Sequence, residues 1–289
     1  MKKALSILTA GCLAVSLAAC GSTAASSAAS AADSTASSAA ESTTASDTAA
    51  ADGQTYKVGI CQLVQHVALD AATQGFKDAL TEQLGDAVTF EEKNAQGDSN
   101  TCSTIINGFV SDDVDLILAN ATPALQAAQA GTNTIPVLGT SVTEYGVALG
   151  IDDFDGLVGT NISGTSDLAP LDEQAGIIKE LFPDAKTVGL LYCSAEPNSQ
   201  YQVDTVKASL EELGYTCEYY AFSDSNDLAT VCQSAADASD VIYVPTDNTV
   251  ANNTEIVNNI CQPAGVPVVA GEEGIMRGCG DATLSISYY

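Results

Sequence analysis

The sequence contains no tryptophan, one histidine (His66) and one arginine (Arg277). Without indole rings, a carbohydrate platform built on Trp stacking is disfavoured. Basic residues are scarce: 9 Lys and Arg stand against 37 Asp and Glu, for a formal charge of -28. A surface that negative repels phosphate backbones and anionic headgroups, which excludes nucleic-acid binding and electrostatic docking to membranes. No G-x-S-x-G, H-E-x-x-H or Gly-rich Walker loop is present, and no Cys-x-x-Cys or Cys/His zinc spacing. A catalytic role for His66 would need a nucleophile or metal beside it. The composition therefore reads as a protein that is not an enzyme and uses no cofactor or metal.

What is present begins with an address. Met1-Lys2-Lys3 is a short positive region, followed by a small-residue apolar run from Ala4 to Ala19. That run is shorter than the ~20 residues a membrane-spanning helix needs. It ends in Leu17-Ala18-Ala19-Cys20, which is similar to a bacterial lipoprotein signal, with residues 1–19 removed and Cys20 acylated. Two or more acyl chains give stable anchoring where one is marginal. Residues 20–54 are Ser, Ala and Thr with a few acidic residues. Without aromatic or branched apolar side chains they cannot offset their ordering entropy, so they read as a flexible tether.

The remaining chain repeats itself. A β-rich run, Tyr56 to Gln62, precedes a helix over 70–84 whose Ala72, Phe76, Ala79, Leu80 and Leu84 share one face. A strand over 87–92, a helix containing Ile105, Ile106, Phe109 and Val110, a strand over 115–119, another helix and a strand over 135–138 follow. The same order recurs about 125 to 131 positions later: strands at 187–192, 216–222, 240–244 and 266–269, with a helix over 202–213 after the first and further helices between the others. Val-Gly in the first strand, Asp-Ser-Asn after the second and Ile/Val-Pro-Val in the fourth mark the register. Strand–helix alternation predicts parallel strands covered on both faces. The expected fold is α/β, with two doubly wound lobes at 55–165 and 166–282 and a hinged cleft between them. Residues 283–289 cross back towards lobe 1.

Ligands in open α/β sheets bind beyond the carboxyl ends of the strands. The loops there offer Gln62, His66, Asn94, Gln96, Thr122, Ser141, Thr143, Thr246 and Asn248 as hydrogen-bonding groups. Several precede helices, whose N-terminal amides favour an anion. With one arginine in the chain, hydroxyls and amides are the expected holders of a ligand carboxylate. Asp70, Asp167, Asp247 and Glu272 are the candidate acceptors for an ammonium group. Val64, Ala121, Ala124 and Val142, with Tyr192 or Tyr288, offer an apolar wall. Neutral donors beside an acidic acceptor match the main-chain atoms of an amino acid. The same residue types are also ordinary helix caps and turn formers.

The segments Gln62, 66–70, Gly75-Phe76, Asn94-Ala95-Gln96-Gly97-Asp98, Ala121-Thr122-Pro123-Ala124 and Ser141-Val142-Thr143 resemble a known family. So do Gly164-Thr165-Ser166-Asp167, Pro245-Thr246-Asp247-Asn248-Thr249 and Ala270-Gly271-Glu272. The resemblance is to ABC-transporter substrate-binding lipoproteins of the tryptophan and aromatic amino-acid uptake type, with the type I periplasmic-binding-protein fold, over about residues 55 to 289. It implies a lipid-anchored, extracytoplasmic monomer that delivers an amino acid-like solute to permease subunits and their ATPase. Val67, Glu144-Tyr145, Cys193 and Ser287 depart from the family pattern. Members also continue past the equivalent of Tyr289 with a helix that returns to lobe 1. The resemblance thus implies a fragment, or an uncovered apolar strip on that lobe. Nucleoside or sugar cargo, and a receptor that presents its ligand to a sensor, remain alternative readings. Seven cysteines in the body (61, 102, 193, 217, 232, 261 and 279) read as mainly free and buried. One disulfide, for instance involving Cys261 and Cys279, stays open.

Overall fold

The structure, a computed structural model, describes residues 53–289. The signal segment, the acylation site Cys20 and all but the last two residues of the tether lie outside the described residues.

Ten strands form two parallel five-stranded sheets. The first sheet has the order β2-β1-β3-β4-β5: β1 is Tyr56–Gln62, β2 Val88–Asn94, β3 Leu116–Asn120, β4 Val137–Val142 and β5 Ile162–Ser166. The second runs β7-β6-β8-β9-β10: β6 is Thr187–Cys193, β7 Thr216–Phe222, β8 Val241–Val244, β9 Val268–Ala270 and β10 Ala282–Thr283. Read from the same edge, the two orders are identical, so the internal repeat is a repeat of topology. Lobe 1 carries α1 (Val67–Leu84), α2 (Ser99–Ser111), α3 (Thr122–Gly131) and the short α4 (Tyr145–Leu149). Helices α5 (Leu171–Leu181), α6 (Pro197–Glu212), α7 (Ser225–Ala238), α8 (Asn248–Ala251), α9 (Thr254–Ala264) and α10 (Glu273–Cys279) follow.

Both faces of each sheet are buried, as parallel sheets require. In lobe 1, Cys61, Ile117, Ala119 and Val137 pack against Cys102, Ile106 and Phe109 of α2 and Leu125 of α3. Val58, Ile60 and Leu118 face α1 through Phe76 and Leu80. In lobe 2, Leu191, Ile242 and Val244 pack on Leu228, Cys232, Val257 and Cys261. Val188, Leu190 and Tyr243 cover the other face with Ile178, Val203 and Leu210. The repeated Val-Gly has a packing reason. A β-carbon on Gly59 would lie 2.7 Å from the Phe109 ring, and one on Gly189 would lie 2.5 Å from Ser239 Oγ. Each first strand is crossed too closely for a side chain.

Helix starts differ from the sequence expectation. Helix α1 begins at Val67 rather than Asp70, and α6 begins with Pro197, five residues ahead of Gln202. Proline suits the first turn of a helix, where its missing N–H costs nothing. The first turn of α6 is polar because Asn198, Ser199 and Gln202 are buried against other polar groups, so it carries no apolar periodicity. Strand β5 went unassigned for a related reason: four of its five residues are exposed. The chain passes between lobes before β6 and again after β10. At its end Tyr289 Oη donates to Asp78 of α1 at 3.1 Å. An apolar hollow of about 390 Å³ lies on lobe 1 among Phe76, Leu118 and Leu138, with Tyr288 and Tyr289 at its rim. Among the described residues no helix is long and apolar enough to cross a membrane.

Candidate binding site

The carboxyl ends of both sheets meet at the seam between the lobes. Among the described residues, five of the eight buried side-chain atoms without a hydrogen-bond partner belong to these strand ends and helix starts: Thr122 Oγ1, Ser141 Oγ, Asp167 Oδ1, Asn198 Oδ1 and His66 Nδ1. Unpaired buried polar groups cost roughly 1–3 kcal/mol each, so such a concentration marks a functional surface. The backbone shows a matching signal. Among the described residues five non-glycine residues have positive φ, and three of them, Gln96 (56°), Ala121 (91°) and Ser141 (54°), are candidate site residues. Strain of this kind persists where the surroundings enforce it and clusters at ligand sites. Ala121 precedes α3, whose N-terminus has no side-chain cap. Its first-turn amides can therefore serve an anion.

Asp167, just after β5, is 6% exposed. Its Oδ2 accepts from Tyr288 Oη at 2.8 Å, leaving Oδ1 unpaired. Burial raises its pKa above the usual carboxylate range, against the opposing hydrogen bond from Tyr288. Thr143 is linked to lobe 2 by Gln202 Nε2 at 3.5 Å, and Gln202 Oε1 accepts from Thr246 N at 3.1 Å. Asp167, Thr143, Gln202, Thr246 and Tyr288 thus form one polar cluster spanning the lobes.

The other predicted acceptors are committed elsewhere. Asp247 is buried, with Oδ2 accepting from Cys193 N at 2.7 Å and Oδ1 from Val250 N at 2.9 Å. Burial and the nearby Glu196 charge push it up to about 7. Glu272 caps α10, accepting from Gly274 N at 2.6 Å and from Ile275 N. Asp70 is exposed on α1 and accepts from Gln62 Nε2 at 2.7 Å. Gln62 also accepts from Thr73 Oγ1 at 2.6 Å, which ties α1 to β1. Asn94 and Gln96 are exposed, with Asn94 Oδ1 accepting from Gln96 N at 2.7 Å. Tyr192 donates to Gln200 Oε1 at 2.8 Å and meets Tyr219 edge-on, so it serves lobe 2. Ala121 and Val142 are fully buried in the lobe 1 core.

His66 and Asn248 join the lobes directly, Nε2 to Oδ1, at 3.2 Å. Asn248 is held by Glu196, a residue the sequence reading passed over. Glu196 accepts from Asn248 N (3.0 Å) and Nδ2 (2.8 Å), and from Thr249 N (2.9 Å) and Oγ1 (2.8 Å). It occupies the N-cap position of α6, as His66 does for α1. Beside this latch lies a hollow of about 190 Å³ shared by the lobes, walled by Leu63, Val64 and Pro123 on one side and Cys193, Glu196 and Asn248 on the other. Its volume suits a small solute rather than a drug-sized ligand, whose pockets run to ~300–1,000 Å³.

Two matched α/β lobes with polar strand ends meeting at a seam define a solute-binding protein of the type I periplasmic-binding architecture. The chain belongs to the ABC transporter substrate-binding protein family, whose model matches residues 57–289. That family consists of extracytoplasmic solute-binding proteins rather than enzymes. A "Tyrosine-binding protein" of Clostridioides difficile is 34% identical, covering 99% of this chain and 80% of its own length. A Streptococcus pneumoniae ABC domain solved in complex with L-Trp superposes with a TM-score of 0.78 at 32% identity, covering 81% of this chain and 80% of that one. A ligand-free, open structure of a Clostridium difficile substrate-binding protein with adhesive properties gives 0.57 at 38% identity, with the same coverage of each chain.

Proposed function

We propose that the protein captures an aromatic amino acid, of the tryptophan or tyrosine kind, at the seam and delivers it to the permease of an ABC importer. A lipid on Cys20 would hold it to the membrane, and it acts as a monomer. The observation that carries the reading is the buried carboxylate Asp167 with one oxygen unpaired. Such an oxygen suits an ammonium group, which would return to Asp167 the stabilisation that burial removes. Thr122 Oγ1, Ser141 Oγ and the uncapped start of α3 supply neutral donors for the ligand carboxylate. Leu63, Val64 and Pro123 line the hollow beside the latch, where Pro123 follows Thr122 directly in the chain.

The named relatives support the aromatic class, because one is a tyrosine-binding protein and another was solved with L-Trp. The lobe arrangement supports capture. This chain follows the L-Trp complex more closely than an open relative of higher identity, as expected if the lobes here stand in a closed disposition.

The test is a thermal-shift screen of the purified body against the twenty amino acids, nucleosides and sugars. A ligand at 100 times its dissociation constant stabilises by about 2.7 kcal/mol. Tryptophan or tyrosine should give the largest shift. Stabilisation by a nucleoside or sugar, with none by any amino acid, would overturn the reading.

A further inference from the structure

Each lobe buries a cysteine at the same place in the helix after its second strand, Cys102 in α2 and Cys232 in α7, and the two have different cysteine neighbours. In lobe 1, Cys102 of α2 and Cys61 of β1 share one core, and both are 0% exposed. In lobe 2, Cys232 of α7 occupies the repeat position of Cys102 and faces Cys261 of α9, with the sulfurs 3.7 Å apart. The surroundings differ. Cys261 is 2% exposed and lines a hollow of about 440 Å³, together with Pro267, Met276, Cys279 and Asp281. Cys232, at 0% exposed, lies behind it.

We propose that Cys232 and Cys261 are a redox-active dithiol that closes into a disulfide joining α7 to α9 when the protein meets a small organic disulfide. A disulfide bond is about 2.05 Å long, so the sulfurs must approach by roughly 1.6 Å, within the reach of side-chain rotation in two packed helices. Cys261 is the entry point because it borders the hollow. The hydrogen bond from Cys232 lowers its pKa, against the opposing effects of burial and the Asp281 charge. The Cys261 thiolate attacks one sulfur of the organic disulfide, forming a mixed disulfide and releasing one thiol. Cys232 then loses its proton and attacks Cys261 Sγ, expelling the second thiol. Two protein thiols surrender two electrons and two protons, and the organic disulfide is reduced to two thiols.

The bond would join residues 29 positions apart in the chain. That segment contains β8 and the loop carrying Thr246, Asp247 and Asn248, so the staple would bracket the lobe 2 side of the seam. The inference stands apart from the identity of the ligand.

The experiment treats the native protein with 2-hydroxyethyl disulfide, quenches in acid, alkylates under denaturing conditions and maps peptides without reduction. A Cys232–Cys261 linked peptide is expected, with Cys61 and Cys102 alkylated as free thiols. The melting temperature should rise by about 5 °C or more, reversibly with dithiothreitol. Cys279→Ser should keep both effects. Cys232→Ala should lose them and leave Cys261 as the mixed disulfide. Recovery of Cys261 as a free thiol, as an unresolved mixed disulfide in the unmutated protein, or joined to Cys279 would overturn the proposal.

Discussion

The imidazole of His66 at the start of α1 lies 3.2 Å from the side-chain oxygen of Asn248 at the start of α8, and this contact crosses from one lobe to the other. Asn248 is fixed from behind by Glu196, so the latch has a rigid side and a single donor. A bond present only when the lobes are together biases the closing equilibrium, and ligand affinity inherits that bias. A hydrogen bond is worth about 0.5–1.5 kcal/mol net. His66→Ala should therefore weaken ligand binding by about 2- to 10-fold in calorimetry. Its melting temperature without ligand should hardly move, because His66 is only half-buried. An unchanged dissociation constant would remove the latch from the account.

Asp167 is the residue on which an amino-acid ligand should depend most. Replacing it with Asn keeps the shape and removes the charge that an ammonium group would meet. A hydrogen bond to a charged group contributes about 1.5–3 kcal/mol, so Asp167→Asn should lower affinity by about 10- to 100-fold. N-acetyl-tryptophan, which has no ammonium, should bind both forms equally poorly. The ligand-free variant should melt no lower than the parent, since burial already disfavours the charged carboxylate. Full affinity for a free amino acid in the variant would transfer the ammonium role elsewhere.

The duplicated topology was legible because it is written in buried strands. Gly59 is fixed by the Phe109 ring of α2 and Gly189 by Ser239, which follows α7, and parallel strands buried on both faces read as short apolar runs. The site was legible only as a set of loops. Of the four acidic residues offered for an ammonium, Asp247 and Glu272 cap helices and Asp70 answers Gln62, whereas Asp167 keeps an oxygen unpaired. Capping and ligand binding draw on the same side chains, and their spacing does not separate them. Glu196 was missed because its Glu-Pro-Asn context looks like a helix start and nothing more. The repeat could have found it, since it stands in α6 where His66 stands in α1.

Asp247 makes a pH prediction whose sign can be worked out. Its carboxyl titrates near 7 in the folded protein, raised by burial and by Glu196. In the unfolded chain an aspartate titrates near ~3.9. Between those values the native state holds a proton that the unfolded state releases. Stability should therefore grow as pH falls from 8 through 7 towards about 4, and this contribution should be lost as pH rises through 7. Asp247→Asn removes that dependence. Its melting temperature should be lower overall, because the amide cannot accept from both Cys193 N and Val250 N. The difference between parent and variant should also be larger at pH 5 than at pH 8. Parallel melting curves across that range would show that Asp247 does not titrate there.

The glycine shared by the two first strands offers a test of the repeat in terms of packing. Gly59→Ala places a methyl group 2.7 Å from the Phe109 ring, inside the contact distance of two carbons. Gly189→Ala meets Ser239 Oγ at 2.5 Å and the Tyr220 ring at 3.2 Å. Overpacking of this kind costs typically about 1–3 kcal/mol. Phe109 is locked in the lobe 1 core, whereas a serine hydroxyl and a half-buried tyrosine can give way. Gly59→Ala should therefore be the more damaging of the two, by denaturant titration with an unchanged m-value. Adding Phe109→Leu should recover part of the loss, because it vacates the ring atoms that the new methyl group strikes. Equal losses at both positions, with no recovery in the double variant, would show that the glycines are kept for some reason other than the close crossing of strand and helix.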